Sequence, residues 1–398
     1  MAYSWLAVAL RDGQVITPLP DLTCESVGVR ICNYQTAQGS LPVGGTGRNA
    51  PPADWQRATT EGATVYVLLD DPGDGSTSVP VWGGYLTKAE PSTGDTIPLP
   101  LSTLEAYLDC RYVGDVTYTA TDQNTIVSDL IARFVNDGTI NIRVQVVGGA
   151  GTVRDHTYTD ASNKSVLSAL TELAGVVDGP EWTIGWEWSD AEHITPVLYV
   201  GNRLGTAVTP GFMPNAVFEA PGSIISAALT RDFSKGKGAN RVIASSSASA
   251  TTQPTSPPQV YSDPLRPTFE YRFTPSTSIS DVNTLTEHAQ AALAQMQQGS
   301  RALTMTAAVE SAPRLGRDWS LGDDIGYKIG GPEYDPGVHW GDAWSDIWSD
   351  IWGALVRNAG GRESVPAFPG GISGTARALG WDLTINGVQT VTPILGGV

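Results

Sequence analysis

The side chains that could do chemistry in this chain are few, and their spacing suits few reactions. His156, His193, His288 and His339 show no metal-ligand spacing, and Cys24, Cys32 and Cys110 form an odd, scattered set without a CxxC pair. Neither a zinc site nor a disulfide framework is expected, and three such thiols fit assembly in a reducing cytosol. No GxSxG elbow is present to activate a serine. Neighbouring carboxylates such as Asp323 and Asp324 are common, but a glycosidase dyad is defined by a separation across a cleft, which sequence does not give. The run Asp70-Asp71-Pro72-Gly73-Asp74-Gly75 suggests calcium. It lacks the alternating oxygen ligands and twelfth-position glutamate of an EF-hand loop, so it reads as an exposed turn. Gly236-Lys237-Gly238 suggests a phosphate cradle, yet the Walker ending is missing and a strand follows where a helix should open, so it reads as a hairpin turn. These residues predict no catalytic group, no metal and no cofactor.

Binding surface is a different matter. Trp340, Trp344, Trp348 and Trp352 recur at every fourth residue. At about 100° per residue they sweep one side of a helix together with Ile347 and Ile351, while Asp342, Asp346 and Asp350 fall on the other. A strand would mix Trp and Asp on one face, so a helix is predicted. Such a stripe packs on its own domain, on a neighbouring copy, or on a ligand such as a sugar ring, whose apolar face suits a flat indole. The three carboxylates opposite argue against lying on an anionic bilayer.

The elements that must position these residues are mostly strands. Thr64–Leu69 and Val79–Leu86 form a hairpin pattern, and Trp182, Ile184, Trp186 and Trp188 alternate along a strand with one apolar face. An internal echo runs through 103–215. Thr117-Tyr118-Thr119 leads into a helix carrying Ile126, Val127, Leu130 and Ile131, and forty positions later Thr157-Tyr158-Thr159 leads into another carrying Val166, Leu167, Leu170 and Leu173. Asp122 or Thr121 would cap the first and Ser162 or Asp160 the second, with Gly138 and Gly175 as left-handed stops. Ile224–Thr230 and Arg241–Ala244 flank the Gly-Lys-Gly turn as hairpin partners. The Ser/Thr/Pro-rich stretch 245–258 reads as a mobile loop or linker. A helix stripe from Val282 to Met296 follows the capping candidate Ser280, and a hairpin around Asn386-Gly387 closes the chain.

A chain of 398 residues is long enough for two to four domains, and its short alternating runs make it β-rich. Its 24 basic and 41 acidic residues leave a net charge of −17, which disfavours a phosphate backbone as ligand, so no sequence-specific nucleic-acid binding is expected. No apolar stretch reaches the roughly 18 residues of a membrane span, and Met1–Leu6 opens no secretion signal.

Four passages give the chain a resemblance: Val79–Leu86 (VPVWGGYL), Ala228–Val242 (ALTRDFSKGKGANRV), Trp319–Ile325 (WSLGDDI) and Ala378–Leu395 (ALGWDLTINGVQTVTPIL). Their order resembles the minor tail proteins of long-tailed actinobacteriophages, of the tail-tip baseplate hub class that is similar to the trimeric hub of contractile-tailed phages. The resemblance implies an α+β, β-rich, multi-domain fold of split β-barrels with an inserted α+β domain. Residues 1–102 with 216–250 would make the first barrel, 103–215 the insertion, 251–264 a linker, and 265–330 with 371–398 a second barrel-like domain. The Trp-rich insertion, 331–370, is not required by that pattern. The implied role is a structural virion protein at the tail tip, assembled in the host cytoplasm. Its implied partners are two further copies in a homotrimer, the distal tail protein ring, the tape-measure protein, and tip or receptor-binding proteins. The competing readings are a tail-borne cell-wall hydrolase and a carbohydrate-binding protein.

Overall fold

The structure is a computed structural model that describes residues 2–44, 54–73, 75–176, 178–209, 212–246, 253–275, 281–330 and 371–396. The chain forms two compact units, one of Met1–Ser226 with Met305–Gly396 and one built on Ala227–Thr304. It is β-rich, 15% helical and 45% strand, so sheet edges and strand crossings rather than helix faces decide what sits beside what.

The first unit opens with eight strands and a one-turn helix. They are β1 (Ala2–Ala9), β2 (Val15–Pro18), β3 (Thr23–Cys24), β4 (Ser26–Arg30), β5 (Thr36–Pro42), α1 (Trp55–Ala58), β6 (Thr64–Asp71), β7 (Val79–Leu86) and β8 (Thr96–Thr103). Seven of these strands make one antiparallel, curled sheet in the order β2-β1-β6-β7-β8-β5-β3. Strand β6 is buried from Thr64 to Asp70, which a near-unbroken apolar run permits. Alternation assigns its two faces. Leu68 sides with Trp5 and Trp82, whose rings meet edge to face at 5.9 Å, while Val65, Val67 and Leu69 side with Val8.

Residues 116–201 supply β9 (Val116–Asp122), α2 (Gln123–Phe134), β10 (Arg143–Val147), β11 (Val153–Tyr158), α3 (Val166–Ala174), β12 (Glu181–Trp188) and β13 (Ile194–Gly201). The echo seen in the sequence becomes a pair. β9 and β11 lie antiparallel with Thr117 opposite Thr157, and the Tyr118 and Tyr158 rings meet edge to face at 6.4 Å. Asp122 caps α2 by accepting the Asn124 and Thr125 amides. The cap of α3 is Ser165, which accepts the Ser168 amide; Asp160–Ser162 forms a separate 3-10 turn before it, so the expected cap came one turn too early. Gly138 has the left-handed φ of +86° expected of it, but Gly175 ends α3 at a helical φ of −76°. This region shares one core with the first sheet, because Val8, Val65, Val67 and Leu69 pack in the same cluster as Leu130, Leu170, Trp182 and Trp186.

The rest of the chain gives β14 (Val217–Ala220), β15 (Ile224–Asp232), β16 (Arg241–Ala244), β17 (Gln259–Val260), β18 (Glu270–Phe273), α4 (Val282–Met296), β19 (Ser300–Ala308), β20 (Asp324–Ile329), β21 (Ile372–Thr384) and β22 (Thr390–Gly396). A second sheet of the first unit runs β14-β20-β21-β22-β19. The thirteen-residue β21 changes partners along its length. Ile372–Arg377 pairs with β20 and Gly380–Thr384 with β4, around an irregularity at Ala378–Gly380 that bends the strand. β14 lies parallel to β20, and the strand that passes from the first ninety residues into the second sheet is β4.

The second unit is small. β16 pairs with β17 and β18, and α4 covers it through Leu285 and Ala289. The predicted hairpin of β15 with β16 is therefore not formed. Asn240 explains why, since its side chain holds the Phe269 amide at 2.7 Å and the Pro267 carbonyl at 2.9 Å and so brings in β18. The described flanks of the Ser/Thr/Pro-rich stretch fold back as well, with Ser256 buried and its hydroxyl accepting the Ala244 amide at 3.0 Å. Asp281, not Ser280, caps α4 by accepting the Thr284 amide.

Candidate interaction surface

Trp340, Trp344, Ile347, Trp348, Ile351 and Trp352, the residues that the sequence singles out, lie outside the described residues, as does His339. The other reactive side chains have ordinary duties. His193 sits on Asp190 at 2.9 Å, which raises its pKa, His156 packs against Tyr158, and His288 is exposed. Burial pushes the Cys24 and Cys32 thiols up to about 11, which makes poor nucleophiles of both. Among the described residues, no group of three or more His, Cys, Asp or Glu side chains could hold a metal ion, and no helix is long and apolar enough to cross a membrane.

What the first unit does possess is a set of charged clamps between its parts. Asp70 ends the apolar run of β6 and is buried, its side chain 1% exposed. It accepts Arg314 Nε at 2.9 Å and a second bond from Arg314 Nη2, and Arg317 Nε reaches it at 3.1 Å. The exposed-turn reading of 70–75 therefore fails at its first residue, while Asp71 does form the turn by accepting the Gly73 amide at 2.8 Å. A carboxylate cannot stay in an apolar interior without partners, and two guanidinium groups from one loop supply them. Burial, and then Asp70, push the neighbouring Tyr3 phenol up to about 12.

The second clamp joins β12 to the second sheet. Glu181 accepts Arg377 Nη1 at 2.6 Å and the Leu204 amide at 2.8 Å, and Arg377 also donates to the carbonyls of Leu204 at 2.8 Å and Gly322 at 3.0 Å. The Asp323–Asp324 pair belongs to this clamp. Asp323 accepts the Thr206 and Ser320 amides, and Asp324 pairs with Arg203 and accepts the Val208 amide. Both carboxylates are thus spent on holding the 203–208 loop. At Gly322, whose φ is +91°, a Cβ would stand 2.3 Å from the Leu204 carbonyl oxygen, so only glycine lets the two loops touch. A third clamp is Arg30, bidentate on Asp382 at 2.8 Å and bonded to the Trp381 carbonyl, which fixes β4 on β21.

Between these clamps lies a cleft of about 560 Å³. Strand β7 forms its floor, β12 one wall, and the loop from Leu315 to Asp323 the other. Val79–Gly83 pair with β6 on one side only, because β8 joins β7 no earlier than Gly84, so this stretch is a local sheet edge. The adjacent glycines of VPVWGGYL have opposite tasks. A Cβ at Gly83 would stand 2.2 Å from Trp186 Nε1, and one at Gly84 would stand 2.3 Å from the Trp82 ring, so each leaves room for an indole on its own face.

Of the clamp side chains, Glu181 and Arg377 carry no motif and Asp70 stood out only as the start of a turn. Their one visible signal is a charge inside or at the end of an apolar strand run in a chain that is only 16% charged.

No family model matches the chain, and no curated protein matches it in sequence. Its fold does match solved structures. Over 100% of this chain and 97% of the other it is similar to a tail protein from Neisseria meningitidis MC58, with a TM-score of 0.51 at 15% identity. A 43 kDa tail protein of prophage MuSo2 from Shewanella oneidensis matches over 99% and 98%, with a TM-score of 0.50 at 10% identity. A chain of the Francisella PdpA–VgrG complex matches over 99% of this chain but 52% of its own length, with a TM-score of 0.52 at 8% identity. At such identities the likeness is one of fold, and the fold of this chain is that of these tail proteins.

Proposed function

We propose that the chain is a structural protein of a phage tail tip, a baseplate hub that joins the tail tube and distal tail ring to tip and receptor-binding proteins. The end-to-end agreement of its fold with two tail proteins of nearly equal length carries this reading. The clamps are consistent with it, because they use charged side chains of the first unit to fix loops and strands, the requirement of a part that transmits load. In this reading the hub is a homotrimer assembled in the host cytoplasm, with the tape-measure protein as a further neighbour. The curled sheet of residues 2–103 and the sheet of β14, β20, β21, β22 and β19 are its two barrel-like surfaces per copy, with 104–215 inserted and 331–370 as the contact for the next tip component.

The test is reconstitution. Purified chain mixed with the distal tail ring should sediment at three copies per ring and appear at the threefold end of assembled tails by electron microscopy. Trp344→Ala with Trp348→Ala should leave the melting temperature unchanged while blocking particle assembly. A chain that stays monomeric beside tail proteins and degrades purified peptidoglycan would overturn the reading in favour of a hydrolase. Normal infectious yield from the double variant would remove only the assignment to the Trp-rich insertion.

A further inference from the structure

One buried carboxyl among the described residues of the first unit belongs to no clamp. Glu105 lies in the 3-10 helix Leu104–Cys110 that leaves β8, and it is 1% exposed. Its Oε1 accepts the Ile184 amide at 2.8 Å and the Thr183 hydroxyl at 3.3 Å, both from β12, while Oε2 is buried with no hydrogen-bond partner. The clamps give the carboxylates of Asp70 and Glu181 an arginine each. Glu105 receives none. The ionisable groups on the elements packed against its helix are committed elsewhere or face solvent. Glu181 is with Arg377, Glu187 with Arg143, Glu172 with Lys164, Arg111 with Asp137, and Asp109 and Cys110 are exposed. Tyr85 on β7 and Tyr107 on the helix itself are half-buried phenols.

An orphaned carboxyl oxygen costs about 1–3 kcal/mol when neutral, and an isolated buried charge costs far more, so the neutral acid is the form this site can hold. Burial accordingly pushes the carboxyl above its ordinary 4.5, outweighing the hydrogen-bond donors around it. We propose that Glu105 is a proton-dependent pin that, as the neutral acid, holds β12 against the helix after β8, and whose deprotonation releases that seam. Thr103, Thr183 and Ile184 also line the cleft described above, so the pin fixes the position of the cleft wall. Because the folded protein holds this proton more tightly than the unfolded chain, the stabilisation is complete below 4.5 and is lost as pH rises through the raised folded value.

The experiment compares the full chain with Glu105→Gln, which keeps the shape and an acceptor for Ile184 but cannot ionise. Thermal unfolding at about pH 5 and about pH 8 should show the wild type losing at least about 2–4 °C relative to the variant on the way up. Hydrogen exchange of the wild type alone is the second measurement, and it stands if the variant does not fold. After correction for intrinsic chemistry, opening at Ile184 should grow by up to about tenfold per pH unit, while opening at Val67 grows less. Parallel pH profiles for the two proteins, or opening at Ile184 that does not change with pH, would overturn the proposal.

Discussion

A buried charge that others depend on can be tested by removing it. Asp70→Ala removes the carboxylate that pairs with the Arg314 guanidinium, 12% exposed, and with Arg317. Breaking such a pair costs about 3–5 kcal/mol, so the variant should show a clear loss of stability by urea titration, and far more than Asp382→Ala at the half-exposed Arg30 clamp. Gly83→Ala makes a second case. The added methyl meets the Trp186 indole, and overpacking of that kind costs about 1–3 kcal/mol, so combining it with Trp186→Leu should cost less than the sum of the two single changes.

At the scale of elements, caps separate what the sequence announces from what tertiary structure decides. Asp122→Ala should lower stability by about 1 kcal/mol, and so should Ser165→Ala, whereas Ser162→Ala should be close to neutral in the same thermal melts. Asp122 was legible because a capping residue and an apolar stripe lie on one short stretch. Ser165 was hidden behind the 3-10 turn at Asp160–Ser162, which offers equally good capping letters. Local alternation likewise announced β6, β7 and β12, and Asn386-Gly387 announced the turn between β21 and β22. Strand partners were less legible. β16 abandons its neighbour β15 because Asn240 captures Phe269, and β4 joins β21 across some 350 positions, distances at which no periodicity speaks. The charged clamps escaped for the same reason, since Arg314 and Asp70 are 244 residues apart.

Over the whole molecule, stability should be uneven. Among the described residues one cluster of the first unit holds 26 buried side chains, while one of the second unit holds five, Ala239, Val242, Ala244, Leu285 and Ala289. Since protection against opening follows buried apolar contact, amides of β16 and α4 should exchange with solvent well before those of β6, and equal protection in the two would contradict this. The pairing of β4 with β21 reaches further still. Ser26–Arg30 emerges from the ribosome some 350 residues ahead of its partner, Gly380–Thr384. One sheet of this protein is thus left open while those residues are synthesised, with a bare strand margin waiting for a distant stretch of its own polypeptide. A nascent chain cut short before residue 380 keeps that margin, and such truncated products should clump or be proteolysed.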